Sequence, residues 1–316
     1  MNVNKMTLRD WVTGAVITGL ALVPLVVSLT DNAFFLDLAT RFVILAIAAI
    51  SLNLILGYGR MISFGHAAYI GIGAYAVGIP AYYEIYNGYL HILIATSVSA
   101  MFALVTGVVC LRTRGVNFIM ITMAFAQMVF FAFVSIEEYG GVDGLVIETR
   151  SEFGSLINLE NATVLYYVCF VSLLAVLYLV HRIVRSRFGM VIQGTRGNEP
   201  RMQSLGFDTF RYKLACYVIA GTICGYSGAL LGNFTNFISP EMMDWTRSGE
   251  LIFMVVLGGA GSIFGPVLGA SIFLLLEEIL SGLWLYWQLV FGIFLILVVL
   301  FAKGGIDSLL SRRKAQ

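Results

Sequence analysis

The chain has 316 residues, of which 59% are apolar and only 12% charged, with 19 basic and 18 acidic side chains and a mean hydropathy of +0.90. That leaves too little polar surface to wrap a soluble core of this size, so the composition excludes a soluble enzyme or binding module and makes the chain a polytopic membrane protein. The net charge of +1 says little, because in a membrane protein the information lies in how charge is distributed over the loops.

Crossing roughly 30 Å of hydrocarbon takes about 20 helical residues. Apolar runs suited to that occur at 12–29, 41–57, 63–83, 91–111, 116–136, 163–181, 213–233, 250–260, 264–281 and 285–302. The first follows Lys5 and Arg9 without a small-residue cleavage site, so it reads as a retained helix. The run 250–260 is too short to cross alone and meets Gly258, Gly259 and Gly261, which predicts a broken or re-entrant element. The expected fold is therefore all-α and polytopic, one transmembrane domain over residues 1–316 with about 8–10 membrane helices and broken Gly-rich segments.

Basic residues collect on the side that is never translocated. With the N-terminus inside and ten crossings, every Lys and Arg except Arg41, Arg150 and Arg247 falls on the cytoplasmic side, together with the C-terminus. Most acids fall opposite, including Glu137, Glu138, Asp143, Glu148, Glu152, Glu160, Glu241, Asp244, Glu250, Glu277 and Glu278. The densest basic stretch is the loop 182–213, with Arg182, Arg185, Arg187, Arg196, Arg201, Arg211 and Lys213 against Glu199 and Asp208. Within it, Pro200 suits the first turn of a helix and Gly206 the position just past its end. This predicts a helix of about two turns in which Met202 and Leu205, three apart, share a face. Such a helix suits insertion into a groove on a cytoplasmic protein; the plainer alternative is a solvated loop that fixes topology.

Glycines at 221, 225, 228 and 232, and at 261, 265 and 269, make smooth strips where another backbone can approach, more often within one subunit than between subunits. The stretches Gly59 to His66 and Gly261 to Pro266 look alike, as in the internal repeats of transporters. The interior offers mainly neutral polar groups, with charges expected at the ends of spans. Asn53, Ser63, His66, Gln127 and Asn233 are candidates to line a pathway, although Asn53 and Gln127 equally suit bonds between helices. His66 has no second metal-ligand type near it in sequence, so a hydrogen-bonded structural role is expected. Cys110, Cys169, Cys216 and Cys224 read as small buried hydrophobes. No phosphate-binding G-x-x-x-x-G-K-[ST] motif is present, and no nucleophile–base pair or metal cluster is visible, so the chain is expected to be neither an ATPase nor an enzyme and to bind no metal and no nucleic acid.

Several ordered motifs resemble the LivM-type permeases, membrane subunits of branched-chain amino acid ABC importers. They are Leu52 to Tyr58, Ser63-Phe64-Gly65-His66 through Tyr75, Arg114-Gly115-Val116-Asn117-Phe118, Thr122 to Gln127, Gly140 to Leu145, Arg187-Phe188-Gly189, Leu205-Gly206, Phe210 to Lys213 and Val256 to Ser262. The chain departs from the family at Glu199-Pro200-Arg201-Met202, where a Glu-Arg-Ala-Ala run is usual. The resemblance implies an ABC importer permease fold. It also implies that Arg187, Gly189, Glu199, Pro200, Arg201, Met202, Leu205 and Gly206 belong to a region contacting an ATPase. Implied partners are two cytoplasmic ATPase subunits carrying the ATP and Mg, a second homologous permease in a heterodimer, and a periplasmic or lipid-anchored substrate-binding protein. The implied setting is the bacterial inner membrane, with membrane lipid around the chain and no cofactor on it. The implied cargo is a branched-chain or other hydrophobic amino acid. Alternatives are a urea or short-amide importer permease and, from another class, an ion-coupled secondary carrier or channel.

Overall fold

A computed structural model describes residues 8–30, 33–154, 158–283, 286–301 and 304–306. Among them twelve α-helices follow in order: α1 (Leu8–Thr30), α2 (Ala33–Gly59), α3 (His66–Tyr82), α4 (Gly88–Cys110), α5 (Val116–Val134), α6 (Ala162–Arg185), α7 (Arg187–Gly197), α8 (Glu199–Ser204), α9 (Thr209–Thr235), α10 (Trp245–Gly258), α11 (Gly265–Leu283) and α12 (Trp287–Phe301). Two short strands, β1 (Leu145–Val146) and β2 (Phe237–Ile238), pair antiparallel. Each of the ten apolar runs is helical, while α7 and α8 occupy the basic loop. Among the described residues six helices, α2, α4, α5, α6, α9 and α11, are long and apolar enough to cross a membrane. By contrast α3 and α10, of 17 and 14 residues, are only about 25 and 21 Å long at 1.5 Å per residue.

Two boundaries differ from expectation for local reasons. α2 begins at Ala33 because Phe34, Phe35, Leu36 and Leu38 carry the apolar run across the exposed Asp37. α9 begins at Thr209 because Asp208 caps it, its carboxylate accepting from the Arg211 N–H at 3.3 Å.

α2 and α9 form the middle of the bundle. α2 packs against α6, α9, α10 and α11, and α9 lies against α2, α3 and α4. Between lipid-solvated helices, close van der Waals approach replaces the hydrophobic drive, and glycine allows it here. A Cβ on Gly228 would strike the Ile70 carbonyl, and one on Gly225 would strike Ser99. The α9 glycine strip therefore serves packing inside this subunit. Gly258 and Gly269 do the same for the α10–α11 hairpin, where a Cβ would strike the Gly265 and Met254 carbonyls.

Contacts sort the connections onto two ends. At one end the α4–α5, α6–α9 and α2–α3 turns meet: Glu199 pairs with Lys213 and Arg114, and Arg196 donates to the Gly57 carbonyl. At the other end Asn87 bridges to Glu152, Tyr83 donates to Glu138, and β1 meets β2. Helix alternation gives the first end Arg60, Arg112, Arg114 and the basic residues of loop 182–213, and the second end most of the acids. Lys5, Lys303, Arg312, Arg313 and Lys314 lie outside the described residues.

The segment before α10 is the irregular part. From β2 the chain runs back along α3, with Ile238 against Gly78, Met243 against Gly71, and Ser248 Oγ accepting from the Ala67 N–H at 2.9 Å. Gly78 to Ala67 is roughly 16 Å of helix axis, so α10 starts well inside the bundle, and Gln127 from the middle of α5 donates to Asp244 Oδ1 at 2.8 Å. Non-helical backbone at that depth is stable because protein groups satisfy it.

The helices run longer than the expected spans, so Arg41 and Glu277 lie within α2 and α11, where they pair at 3.1 Å, and Arg247 pairs with Glu250 at 3.0 Å in the inward-starting α10.

Candidate functional site

The tip at the basic end is built by three successive caps. α6 stops at Ser186, whose Oγ accepts from the Gly189 N–H at 3.3 Å and so opens α7. Gly189 is buried against the Ile183 and Val184 carbonyls, which leave no room for a Cβ. Asn198 next caps α8, its Oδ1 accepting from the Arg201 N–H at 3.0 Å, with Pro200 in the first turn. α8 closes on Gly206 at φ +88°, where the Gly206 N–H bonds Gln203 O at 2.9 Å and the Phe207 N–H bonds Met202 O at 3.2 Å. That pair of bonds satisfies the final carbonyls and requires a left-handed residue at position 206.

Within the tip, Glu199 is the anchor. Its carboxylate takes Lys213 at 2.7 Å, Arg114 at 3.4 Å and the Thr209 hydroxyl at 3.2 Å, joining α8 to α9 and to the α4–α5 turn. Partial burial pushes its carboxyl up, but Lys213 and Arg114 outweigh that and hold it below the usual carboxylate range. Arg196, near the end of α7, donates to the Gly57 carbonyl and lies against Gly261 of the α10–α11 turn.

Met202 and Leu205 do not share a face as expected from their spacing. Met202 is half-buried over Gly194 of α7, whereas Leu205 is 65% exposed. α8 is so short that its second turn already bends into the closing motif, separating the two side chains. Arg187, Pro200, Arg201 and Gly206 are exposed with Leu205, next to exposed Met190 and Phe207. The tip therefore presents apolar side chains among cations while Gly189, Glu199 and Met202 hold it to the bundle.

The interior positions are dispersed. Asn53 is buried and fully engaged: its Nδ2 donates to Ser262 O at 2.7 Å and its Oδ1 accepts from the Gly261 N–H at 2.9 Å. Ser63 accepts from the Gly65 N–H at 3.2 Å, as Ser262 does from Gly265 at 3.1 Å, so the two look-alike turns each use a serine to open the next helix. Asn233 accepts from the Ser151 N–H at 2.8 Å and donates to Ala229 O. His66 departs from the expected hydrogen-bonded role: it is buried, neither ring nitrogen has a partner, and its ring meets Tyr69 edge-on at 5.4 Å. All four cysteines are buried. Sequence reasoning did not single out Arg114, Arg196, Asn198, Thr209 or Lys213 as site residues. Asn198, just before Glu-Pro, carried a readable cap signal; the long-range partners of the others carried none.

A helical, multi-pass membrane protein is the class that this architecture defines. The chain matches the family described as branched-chain amino acid transport system, permease component, over residues 34–300, and it belongs to that family. It is 25% identical over 293 residues to the high-affinity branched-chain amino acid transport system permease protein LivM of Salmonella typhimurium, an alignment covering 85% of this chain and 69% of that protein. It is likewise 25% identical over 313 residues to the probable LivM permease of Methanocaldococcus jannaschii, covering 82% and 89%. Over 164 residues, 51% of each chain, it is 29% identical to the LivH permease of Salmonella typhimurium. No solved structure matches it.

Proposed function

We propose that this chain is the translocation subunit of an ATP-driven importer of branched-chain and other hydrophobic amino acids. Two cytoplasmic ATPase subunits carry the ATP and Mg, one of them docking on the α7–α8 tip of this chain, and a second homologous permease completes the pathway. A periplasmic or lipid-anchored binding protein delivers cargo to the acidic end. The subunit sits in the bacterial inner membrane with both termini cytoplasmic, the orientation favoured by the concentration of Arg and Lys at the tip end.

The tip geometry carries this reading. A capped helix that projects Leu205 and several cations beyond the membrane helices is suited to docking, and Arg196 links it to Gly57 and Gly261, the ends of two helical hairpins. Nucleotide bound to the ATPases biases the membrane conformation to the extent that the tip is contacted differently in each state. In this reading Gln127 and His66 flank the pathway, while Asn53 and Asn233 tie helices together.

Reconstitution of this chain with its partner subunits in proteoliposomes tests the reading. Leucine uptake should require ATP and all subunits. Uptake that persists without the ATPases under an ion gradient defeats it, and urea uptake without leucine uptake defeats the substrate assignment.

A further inference from the structure

A cavity of about 160 Å³ lies between α2, α3, α9 and α10, near the inward-running segment from the acidic end. Its character is split. Leu45, Ile70 and Leu251 supply an apolar wall, and Arg41, Arg247 and Glu250 supply charge. Arg247 donates to both oxygens of Glu250, at 3.2 and 3.0 Å, and Arg41 donates to Glu277 at 3.1 Å. Arg247 and Glu250 thus line the cavity as an opposed pair, while the charge of Arg41 is met by Glu277 outside the lining.

We propose that this cavity receives the zwitterionic amino acid on its way through the subunit. The α-carboxylate pairs with Arg247, the α-ammonium pairs with Glu250, and the aliphatic side chain lies against Leu45, Ile70 and Leu251. The proposal rests on the importer reading above and names where its substrate is held.

Three physical points carry it. A zwitterion brings the same two charges, close together, that the Arg247–Glu250 pair presents, so inserting it turns one ion pair into two. The pair it must open can be reached from the cavity, with 45% and 36% of the two side chains accessible. Size also fits: a cavity of roughly 150 Å³ accommodates benzene, so an isobutyl side chain can be held with its charged groups at the rim. Urea has no charges to match the Arg247–Glu250 pair.

The double variant Arg247→Gln/Glu250→Gln keeps hydrogen-bonding groups and removes the charges, and Arg247→Lys keeps the charge without the fork. Both are assayed in the full reconstituted complex with radiolabelled L-leucine at saturating binding protein, alongside thermal unfolding. The double variant should lower ATP-driven leucine uptake at least tenfold with an unchanged unfolding midpoint, and Arg247→Lys should retain an intermediate rate. Double-variant uptake within twofold of wild type, where wild type imports leucine, overturns the cavity assignment and leaves the importer reading standing. A loss matched by a lowered unfolding midpoint overturns it in favour of a structural ion pair. A wild-type complex that does not import leucine fails the importer reading first.

Discussion

Leu205 and Met202 sit three residues apart on one short helix, yet the structure gives them opposite duties. Leu205 is 65% exposed, so replacing it with Glu should change the stability of the free subunit by no more than about 0.5 kcal/mol. Full burial of a leucine contributes about 1.5–3 kcal/mol, and covering the exposed two-thirds on docking contributes about 1–2 kcal/mol of that. Leu205→Glu forfeits this gain and adds the desolvation of a carboxylate, so ATPase docking should weaken by more than roughly 2 kcal/mol, about thirtyfold. Met202→Glu acts differently: it strips the cover from Gly194 and should lower the unfolding midpoint itself. The assay pairs co-purification of the ATPase and ATP-driven leucine uptake with thermal unfolding in detergent. Normal docking and uptake by Leu205→Glu, or a large fall in its unfolding midpoint, would refute the division of labour.

Glu199→Gln should destabilise the tip at neutral pH. Because Lys213 and Arg114 hold the Glu199 carboxyl below its ordinary value despite partial burial, its contribution is full above the usual carboxylate range and is lost as pH falls through its lowered value. A pH series of unfolding midpoints should therefore show the variant's deficit shrinking toward acid; a constant deficit would contradict this. Asn53→Ala removes both bonds to the α10–α11 turn and should cost about 2–4 kcal/mol, read by denaturation, with faster amide exchange at Gly261. His66→Leu should cost under about 1.5 kcal/mol, because no hydrogen bond to its ring is lost, while uptake falls if the ring faces the pathway. Loss of folding would show that the ring is held by bonds after all.

What the sequence made legible was whatever is local. Ten apolar runs emerged as helices because length and hydropathy alone decide whether a segment can satisfy its own backbone in lipid. Pro200 and Gly206 marked α8 because each fits a conformation that other residues tolerate poorly. The depth of α10 was not legible, since it is fixed by Ser248 meeting Ala67 and Gln127 meeting Asp244, contacts between remote parts of the chain. The same holds for Arg196 and Gly57, and for the Arg41–Glu277 pair, whose meeting follows from where two helices begin and end. Asn53 was read evenly as a pathway or bonding residue, and only its partner 209 positions away shows that both ends of its amide are used. His66 ran the other way, because its sequence neighbours gave no hint that its ring would be left without partners.

The abbreviated α10 has a bearing on biosynthesis. A 14-residue segment offers an insertion machinery too little length to be released into lipid by itself, and the polar residues at its start make that release less favourable still. Its glycine-lined seam with α11 supplies the remedy: the two segments should enter together as a hairpin, once the second has been made. Lengthening the side chain at Gly269 should thus show itself first as subunits arrested during membrane assembly, before any defect in transport can be measured.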